Sequence, residues 1–373
     1  MRLPPLDNLN ARAAKLAELL ATEKLDALLV TSLPNIAYLT GFFASAAALV
    51  ATPAAFFLVS DGRYASALTS RREEWRRLQT VLLAAGQSYD EAIVDALDPL
   101  KGLRVGFEAS HLTVARHRFL SQALVARGWS DELLGSDGLV ERLRVCKDAW
   151  EISILRDGGE RLSTAAKCIL SKALAGRLEY EVALEIEQQL RRAGFERPSF
   201  DTIVASGPNA AVPHARAGSR RIQPGELVVM DFGGVLDGYC TDLTRTVTAG
   251  PPGQREAGLI AQLAEAQAAA FQVVRPGHPP ESVDAAARDV LAAHGIGDAF
   301  THGTGHGLGL EIHEAPRITR ARPTQSEPLL AAGMVLTLEP GVYFPGWGGA
   351  RIEDDVLVTE GGADWLTDVP RTQ

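Results

Sequence analysis

The stretch Val228-Val229-Met230-Asp231-Phe232-Gly233-Gly234-Val235-Leu236-Asp237-Gly238-Tyr239-Cys240-Thr241-Asp242-Leu243-Thr244-Arg245-Thr246 decides how this chain is read. Apolar and β-branched runs flank Asp-Gly, a strong short-range hairpin signal. Folding near Leu236-Asp237 sets Asp231 and Asp242 close to opposite one another, give or take a bulge. A carboxylate directly after Val228-Val229-Met230 needs a partner, because an unpaired buried charge is costly. Two facing carboxylates also repel, which raises one pKa unless a cation lies between them. From this segment alone a metal ion and an arginine, Arg245 for example, meet that need equally well.

A second hairpin is legible downstream. Val335-Leu336-Thr337-Leu338-Glu339-Pro340-Gly341 and Ala350-Arg351-Ile352-Glu353-Asp354-Asp355 flank Pro345-Gly346-Trp347-Gly348-Gly349. Centred on Gly346, it sets Glu339 across from Glu353, and period-two alternation adds Tyr343 and Arg351 to that face. An acid pair beside an arginine and a phenol is difficult to explain as packing and suits a shared, oxygen-rich cation site.

The histidines gather in the same half. Of 8 in the chain, most lie from His214 onward, with His294, His302, His306 and His313 close together. In Thr301-His302-Gly303-Thr304-Gly305-His306-Gly307-Leu308-Gly309-Leu310, the alternating glycines disfavour a helix. An extended strand with close backbone approach fits better and leaves one imidazole as a ligand. Pro213-His214-Ala215-Arg216 and His313-Glu314-Ala315-Pro316-Arg317 complete the candidate stretches. Taken singly, His214, His302 and His313 each read more readily as structural than catalytic. Four acids with one imidazole are too many oxygen ligands for a structural zinc. Two divalent ions sharing carboxylates is the economical reading, and such a pair is equipped for hydrolysis.

Around this centre the chain divides in two. Residues 1–140 alternate helical and strand patterns: a helix over Asn10 to Leu20, strands at Leu25 to Val30 and Arg104 to Phe107. A strand pair over Ala46 to Val59 is broken at Thr52-Pro53. This predicts a small α/β layer domain. Within it, Asn35-Ile36-Ala37-Tyr38-Leu39-Thr40-Gly41 and Asp61-Gly62-Arg63-Tyr64 read as turn chemistry after strands. From about Val140, amphipathic helices are expected over Trp150 to Leu174 (despite Gly158-Gly159), Glu179 to Ala193, Gly258 to Val274 and Ser282 to His294. Helices in runs with Val-, Thr- and Gly-rich strands predict an α+β domain.

The 373 residues suffice for two domains, and a formal charge of −9 argues against nucleic acid as a partner. Arg71-Arg72 and Arg76-Arg77, among Glu73, Glu74 and Trp75, read as a helix with a solvated face. Cys146, Cys168 and Cys240 are far apart and odd in number, which fits a reducing compartment and no disulfide framework, and each reads as a buried small hydrophobe. The longest apolar stretch, Ala44 to Val59, contains Ser45, Thr52 and Pro53 and predicts no membrane span. Pro4, Pro5, Asp7 and Asn8 interrupt any leader pattern, so the cytoplasm is the expected location.

In the order of its motifs the chain resembles the prolidase, aminopeptidase P and methionyl aminopeptidase group, whose catalytic half is the pita-bread fold. The Asn35–Gly41 and Asp61–Tyr64 pieces resemble the N-terminal domain of prolidases and creatinase. The resemblance implies an α+β pita-bread catalytic domain at 141–373 preceded by a smaller creatinase-N-like α/β domain at 1–140. It implies two divalent ions, manganese first, with cobalt or zinc tolerated. Asp231 would hold one ion, His306 with Glu339 the other, and Asp242 and Glu353 would bridge. His214 and His313 match non-ligand histidines at the scissile carbonyl. Tyr343 and Arg351 match a pair that orients a bridging carboxylate, and Glu339 also matches a proton carrier to the leaving nitrogen. On the substrate side, Arg317 is expected at the free carboxylate of proline, Asn35 near the amino end, and His302 in support.

The implied substrates are Xaa-Pro dipeptides, as for prolidase, or longer proline-containing peptides, as for aminopeptidase P. Arg317, Arg320 and Arg322 after His313, with the neutral Asn35, favour the dipeptidase. A homodimer is implied by resemblance alone. Creatinase and non-catalytic relatives usually lack several of the five ligands, whereas this chain has them all. Methionyl aminopeptidases normally lack the first domain.

Overall fold

Asp237 (φ 47°) and Gly238 (φ 85°) both take left-handed backbone, the turn whose twist matches the strands it joins. Leu236 therefore pairs with Tyr239 and Val235 with Cys240. The same register carries on to Leu243 opposite Phe232 and Thr244 opposite Asp231. The turn lies one residue beyond the place expected from sequence. Asp231 thus faces Thr244 rather than Asp242, and Asp242 becomes its diagonal neighbour on the same face.

The second hairpin is centred on Gly346 as expected. Leu338 pairs with Asp354 and Gly341 with Arg351. Between these ladders Glu339-Pro340 and Ile352-Glu353 leave the strand pairing, and Glu353 bridges to Thr244 of the first hairpin instead. The hairpins join where their acids lie.

The computed structural model describes residues 1–130, 132–321 and 327–372, without the side chains of Ser70 and Arg72. Arg322 therefore lies outside the described residues, as does the side chain of Arg72. Contacts divide the chain into Arg2–Arg144 and Val145–Gln373, the latter with Met1.

In the larger unit, Leu227–Phe232 runs antiparallel between Ile203–Ser206 and Leu243–Thr248. The helices Ala149–Leu170 and Glu179–Arg192 pack on this sheet through Leu162, Ile186, Val204, Val228 and Met230. A five-stranded antiparallel sheet runs Glu314–Ile318, Gly305–Gly307, Val335–Leu338, Asp354–Thr359, Gly362–Trp365. It is covered by Gln254–Val273 and Pro280–Ala293 through Leu263, Ala287, Leu336 and Val356. Each half is a helix pair on an antiparallel sheet, which is the α+β class expected. Every fully buried leucine or valine in these layers contributes about 2 kcal/mol.

The Ala149–Leu170 helix starts on a capping box, Asp148 accepting from the Glu151 N–H while Glu151 reaches back. Its Gly158-Gly159 pair is a packing feature. A Cβ on Gly159 would lie 2.1 Å from the Leu366 carbonyl oxygen, and one on Gly158 2.8 Å from Thr241 Cγ2. Gly159→Ala is therefore expected to cost about 3 kcal/mol despite alanine's helix propensity. Urea denaturation should show a lower midpoint at unchanged slope; wild-type stability would refute the close approach.

The smaller unit is built on a mixed six-stranded sheet. Its order is Leu78–Leu82, Phe56–Ser60, Ala48–Ala51, Ala27–Val30, Val105–Glu108, Leu134–Ser136. Leu29, Val50, Ile93, Leu97 and Leu120 form its core. The Asn35–Gly41 piece is not a turn: it lies in the helix Leu33–Thr40, with Pro34 in the first turn and Gly41 as a left-handed cap. Asp61 does make a turn, accepting from the Arg63 N–H. Arg71 is not on a solvated face; it is buried and donates to the carbonyls of Pro4 and Thr40. In the larger unit Cys240 is buried as expected, but Cys146 and Cys168 are exposed, Cys168 on the outer face of its helix beside the exposed Lys167. Among the described residues no helix is long and apolar enough to cross a membrane.

Candidate metal centre

A Cβ on Gly305 would meet the Thr337 carbonyl oxygen at 2.0 Å, so only glycine lets Gly305–Gly307 press against Val335–Leu338. That approach aims His306 at the acids. Its Nε2 lies 3.8 Å from Asp242 Oδ2 and 3.7 Å from Glu339 Oε1. Its Nδ1–H donates to the Gly307 carbonyl at 3.0 Å, which leaves the Nε2 lone pair facing the carboxylates. Asp242, His306 and Glu353 each offer a ligand atom within 4.8 Å of the others. Asp231 Oδ1 and Asp242 Oδ1 are buried with no hydrogen-bond partner among the described residues.

The electrostatics follow from this crowding. Burial, then repulsion by Glu353 and Asp231, holds the Asp242 carboxyl well above its ordinary pKa. Glu353 is raised in the same way, by burial and then by Glu339 and Asp231, with Arg351 and the Thr244 hydroxyl opposing. Burial pushes Glu339 up to about 8 against the pull of Arg351. Burial also brings His306 down to about 4, keeping it a neutral ligand. Bare buried oxygens, four converging acids and a neutral imidazole fit divalent cations, whose charge offsets the repulsion.

Arg351 supports the acids from behind. It donates to Asp231 Oδ2, to the Tyr343 hydroxyl at 2.7 Å and to Thr244 Oγ1 at 3.2 Å. Thr244 in turn donates its hydroxyl to Glu353 Oε2 at 2.6 Å. Of the two partners that the first hairpin left open for its acids, an arginine is present at Asp231, but it is Arg351, and Asp231 Oδ1 stays bare beside it among the described residues. Arg245 pairs with Asp354 at 2.7 Å, both fully buried. His302 Nδ1 donates to the Gly303 carbonyl at 2.8 Å, so its Nε2 accepts from the Tyr343 hydroxyl at 2.9 Å. Both ring nitrogens are taken, which leaves none for a substrate. Burial holds this ring near a pKa of about 4.

Asp231, Asp242, His306, Glu339 and Glu353 line one cleft of about 840 Å³ together with His214, His302, His313 and Arg351. His214 and His313 are exposed, and the His313 ring stands edge-on to His306 at 4.3 Å between centroids. Partial shielding from solvent in the cleft, then His214 and Arg317, lowers the His313 pKa. Arg317 is exposed and sits directly opposite His306 in the Gly305–Gly307 and Glu314–Ile318 pair, but it is not part of the cleft wall. Arg216 is part of that wall; its motif was visible in the sequence, yet nothing there distinguished it from loop charge. Arg320 is exposed. Asn35 is fully buried within the smaller unit. Its amide nitrogen donates to Glu108 and Glu141 at 2.6 and 2.7 Å, and its oxygen accepts from Arg144 at 2.6 Å. These bonds occupy the groups that would meet a substrate amine. Asp355, given no role from sequence, accepts the backbone N–H of Asp242 at 3.0 Å.

The profile of metallopeptidase family M24 matches residues 153–360, and that of the Creatinase/Prolidase N-terminal domain matches 12–146. The chain belongs to metallopeptidase family M24. Within the family, an Xaa-Pro dipeptidase of Pyrococcus horikoshii is 33% identical over 368 residues, covering 98% of this chain and 99% of its own. The solved Xaa-Pro dipeptidase from Bacillus anthracis superposes with a TM-score of 0.89 at 32% identity, over 97% of this chain and 98% of that one. The X-Pro aminopeptidase from Thermotoga maritima superposes with a TM-score of 0.85 at 29% identity, over 96% and 98%. The fold is thus the creatinase N-terminal domain followed by the pita-bread catalytic domain of the family.

Proposed function

We propose that this protein is a metal-dependent dipeptidase that hydrolyses the peptide bond before proline. The observation that carries the reading is the convergence of Asp231, Asp242, His306, Glu339 and Glu353 in one cleft, in a chain alike over its full length to Xaa-Pro dipeptidases. Asp231 would hold one divalent ion, His306 with Glu339 the other, and Asp242 and Glu353 would be shared. Such ions supply polarisation of the scissile carbonyl and a lowered pKa for water. Carboxylate-rich ligands favour manganese, with cobalt and zinc also accommodated. His214 and His313 would donate to the carbonyl oxygen as it gains charge. Glu339 would take the proton that the attacking water loses and pass it to the proline nitrogen. Tyr343, its proton directed at His302, and Arg351 would keep Asp231 and Glu353 in place. The cytosol is the proposed location, supported by the odd number of cysteines, which suits a reducing compartment, and the homodimer is proposed on family grounds alone.

Dipeptidase and aminopeptidase differ at the proline carboxylate. Arg317, whose charge His313 feels, is proposed to bind it, since a guanidinium matches a carboxylate through paired hydrogen bonds. Wild-type enzyme with manganese is expected to cleave Ala-Pro at least about tenfold more efficiently than Ala-Pro-Ala, whose amide leaves that guanidinium unpaired. Arg317→Ala should raise KM for Ala-Pro by about tenfold while metal content stays the same; Arg216→Ala is the comparison. Equal cleavage of both peptides by the wild type would make aminopeptidase the correct reading. An effect confined to Arg216→Ala would move the carboxylate site to the cleft wall.

A further inference from the structure

We propose that Glu179 is a positioning residue that fastens both ends of the loop carrying His214. The inference rests on the reading of His214 as a donor at the scissile carbonyl. Glu179 opens the helix Glu179–Arg192, where an acid usually serves its own helix terminus from the solvent side. Here it is 0% exposed, and a buried carboxylate must be matched by donors. Those donors belong to the loop. Oε1 accepts from the Ser206 N–H at 2.8 Å, from the Ser206 hydroxyl at 2.7 Å and from the Asn209 amide at 3.1 Å. Oε2 accepts from the same amide at 3.1 Å and from the Gly218 N–H at 3.3 Å.

Ser206 ends the strand Ile203–Ser206, and Gly218 follows Arg216, so one carboxylate ties the start of the loop to its finish. The helix end adds to the closure: Glu179 N–H donates to the Arg220 carbonyl at 3.0 Å and Tyr180 N–H to the Gly218 carbonyl at 3.1 Å. Arg220, donating to the Ser206 hydroxyl at 2.6 Å, places a positive charge beside the acid. Between these ties run the turn Gly207–Ala211 and then Pro213 to Ala217, all of which line the cleft from Pro213 onward. At mid-loop the Pro213 carbonyl accepts from Arg351 Nη1 at 3.4 Å, the guanidinium that also holds Asp231. The exposed ring of His214 therefore stands where its loop stands. Glu179 fixes the ends of that loop, and Arg351 ties its middle to the metal ligands.

Glutamine in place of Glu179 keeps the shape but turns one acceptor into a donor, facing it towards either Gly218 N–H or Ser206 N–H. In Glu179→Gln, hydrogen exchange of the amides in 207–218 is expected to quicken by about tenfold or more, while Leu227–Phe232 and Leu243–Thr248 stay protected. Metal content should stay at the wild-type value, because no ligand is touched. The kcat for Ala-Pro should fall by about 10- to 100-fold with KM moving less than threefold, as expected when a reacting group is displaced by an ångström or so. In a His214→Ala background the same substitution should cost less than about twofold more, because the group it positions is gone. Unchanged exchange in the loop, or losses that multiply in the double variant, would overturn the proposal. If Glu179→Gln does not fold, Asn209→Ala removes one tie from the loop side and should give the same pattern with smaller losses. An inactive wild type, or a His214→Ala enzyme of full rate, would defeat the reading of the site, and the exchange result would then decide the role of Glu179 alone.

Discussion

Replacing Glu353 by alanine is expected to lower turnover of Ala-Pro by roughly 1,000-fold or more and to reduce bound metal below the wild-type value. Glu353 sits where the second hairpin leaves its ladder and bridges to the first, so its carboxylate is within reach of ligands from both. Thr244 holds one of its oxygens at 2.6 Å, which orients the other into the cleft. Asp242→Ala should behave alike, since Asp242 belongs to the same cluster with His306. Chelation should silence the wild type and manganese should restore it. A second readout needs no substrate. Metal bound only by the folded state stabilises it, so manganese should raise the melting temperature of the wild type much more than that of Glu353→Ala. Without metal, removing one of several crowded acids relieves repulsion, and the variant should then be no less stable than the wild type. Elemental analysis showing full metal content in both variants would count decisively against these ligands, and full activity in a verified metal-free wild type would sink the metal-dependent mechanism.

Much of this centre was legible because strand pairing is arithmetic once a turn is placed. The second hairpin could be centred on Gly346, and Gly341 pairs with Arg351 as that centre requires. The first was misplaced by one residue because Asp237 as well as Gly238 adopts left-handed backbone, a choice that Asp-Gly favours but does not announce. What remained hidden lies between segments distant in the chain. Arg351 reaches Asp231 only because two hairpins stack, and no spacing rule within either hairpin predicts it. Leu33–Thr40 is too short to display a helical period, so the Asn35–Gly41 piece read as a turn, although Gly41 is the helix's left-handed cap. Glu179 was legible only as the start of a helix, since its partners Ser206, Asn209 and Gly218 come from a loop far along the chain. Asn35 was placed near substrate by resemblance, while its neighbours Glu108, Glu141 and Arg144 could be known only from the folded unit.

His306 and His313 should separate cleanly when each is changed to alanine. Their rings are 4.3 Å apart between centroids, yet their surroundings assign them different work. His306 is mostly buried, its Nδ1 committed to the Gly307 carbonyl and its Nε2 aimed at Asp242 and Glu339. His306→Ala should therefore lose an ion and nearly all activity with it. His313 is exposed at the cleft wall and, among the described residues, belongs to no ligand cluster. Its ring is free to meet the carbonyl oxygen of a bound peptide. His313→Ala should therefore keep its metal and its melting temperature while kcat falls by about 100-fold or more, the loss expected when one donor to a developing oxyanion is removed. KM should change much less, since the hydrogen bond strengthens only as the carbonyl gains charge. Glutamine at 313 retains an N–H and should recover part of the rate, whereas it should recover little at 306, where its amide oxygen is a weaker ligand than an imidazole nitrogen. Equal metal content and equal activity in the two alanine variants would refute the division of roles. Loss of metal in His313→Ala would instead make that histidine a ligand and leave His214 as the principal donor to the carbonyl.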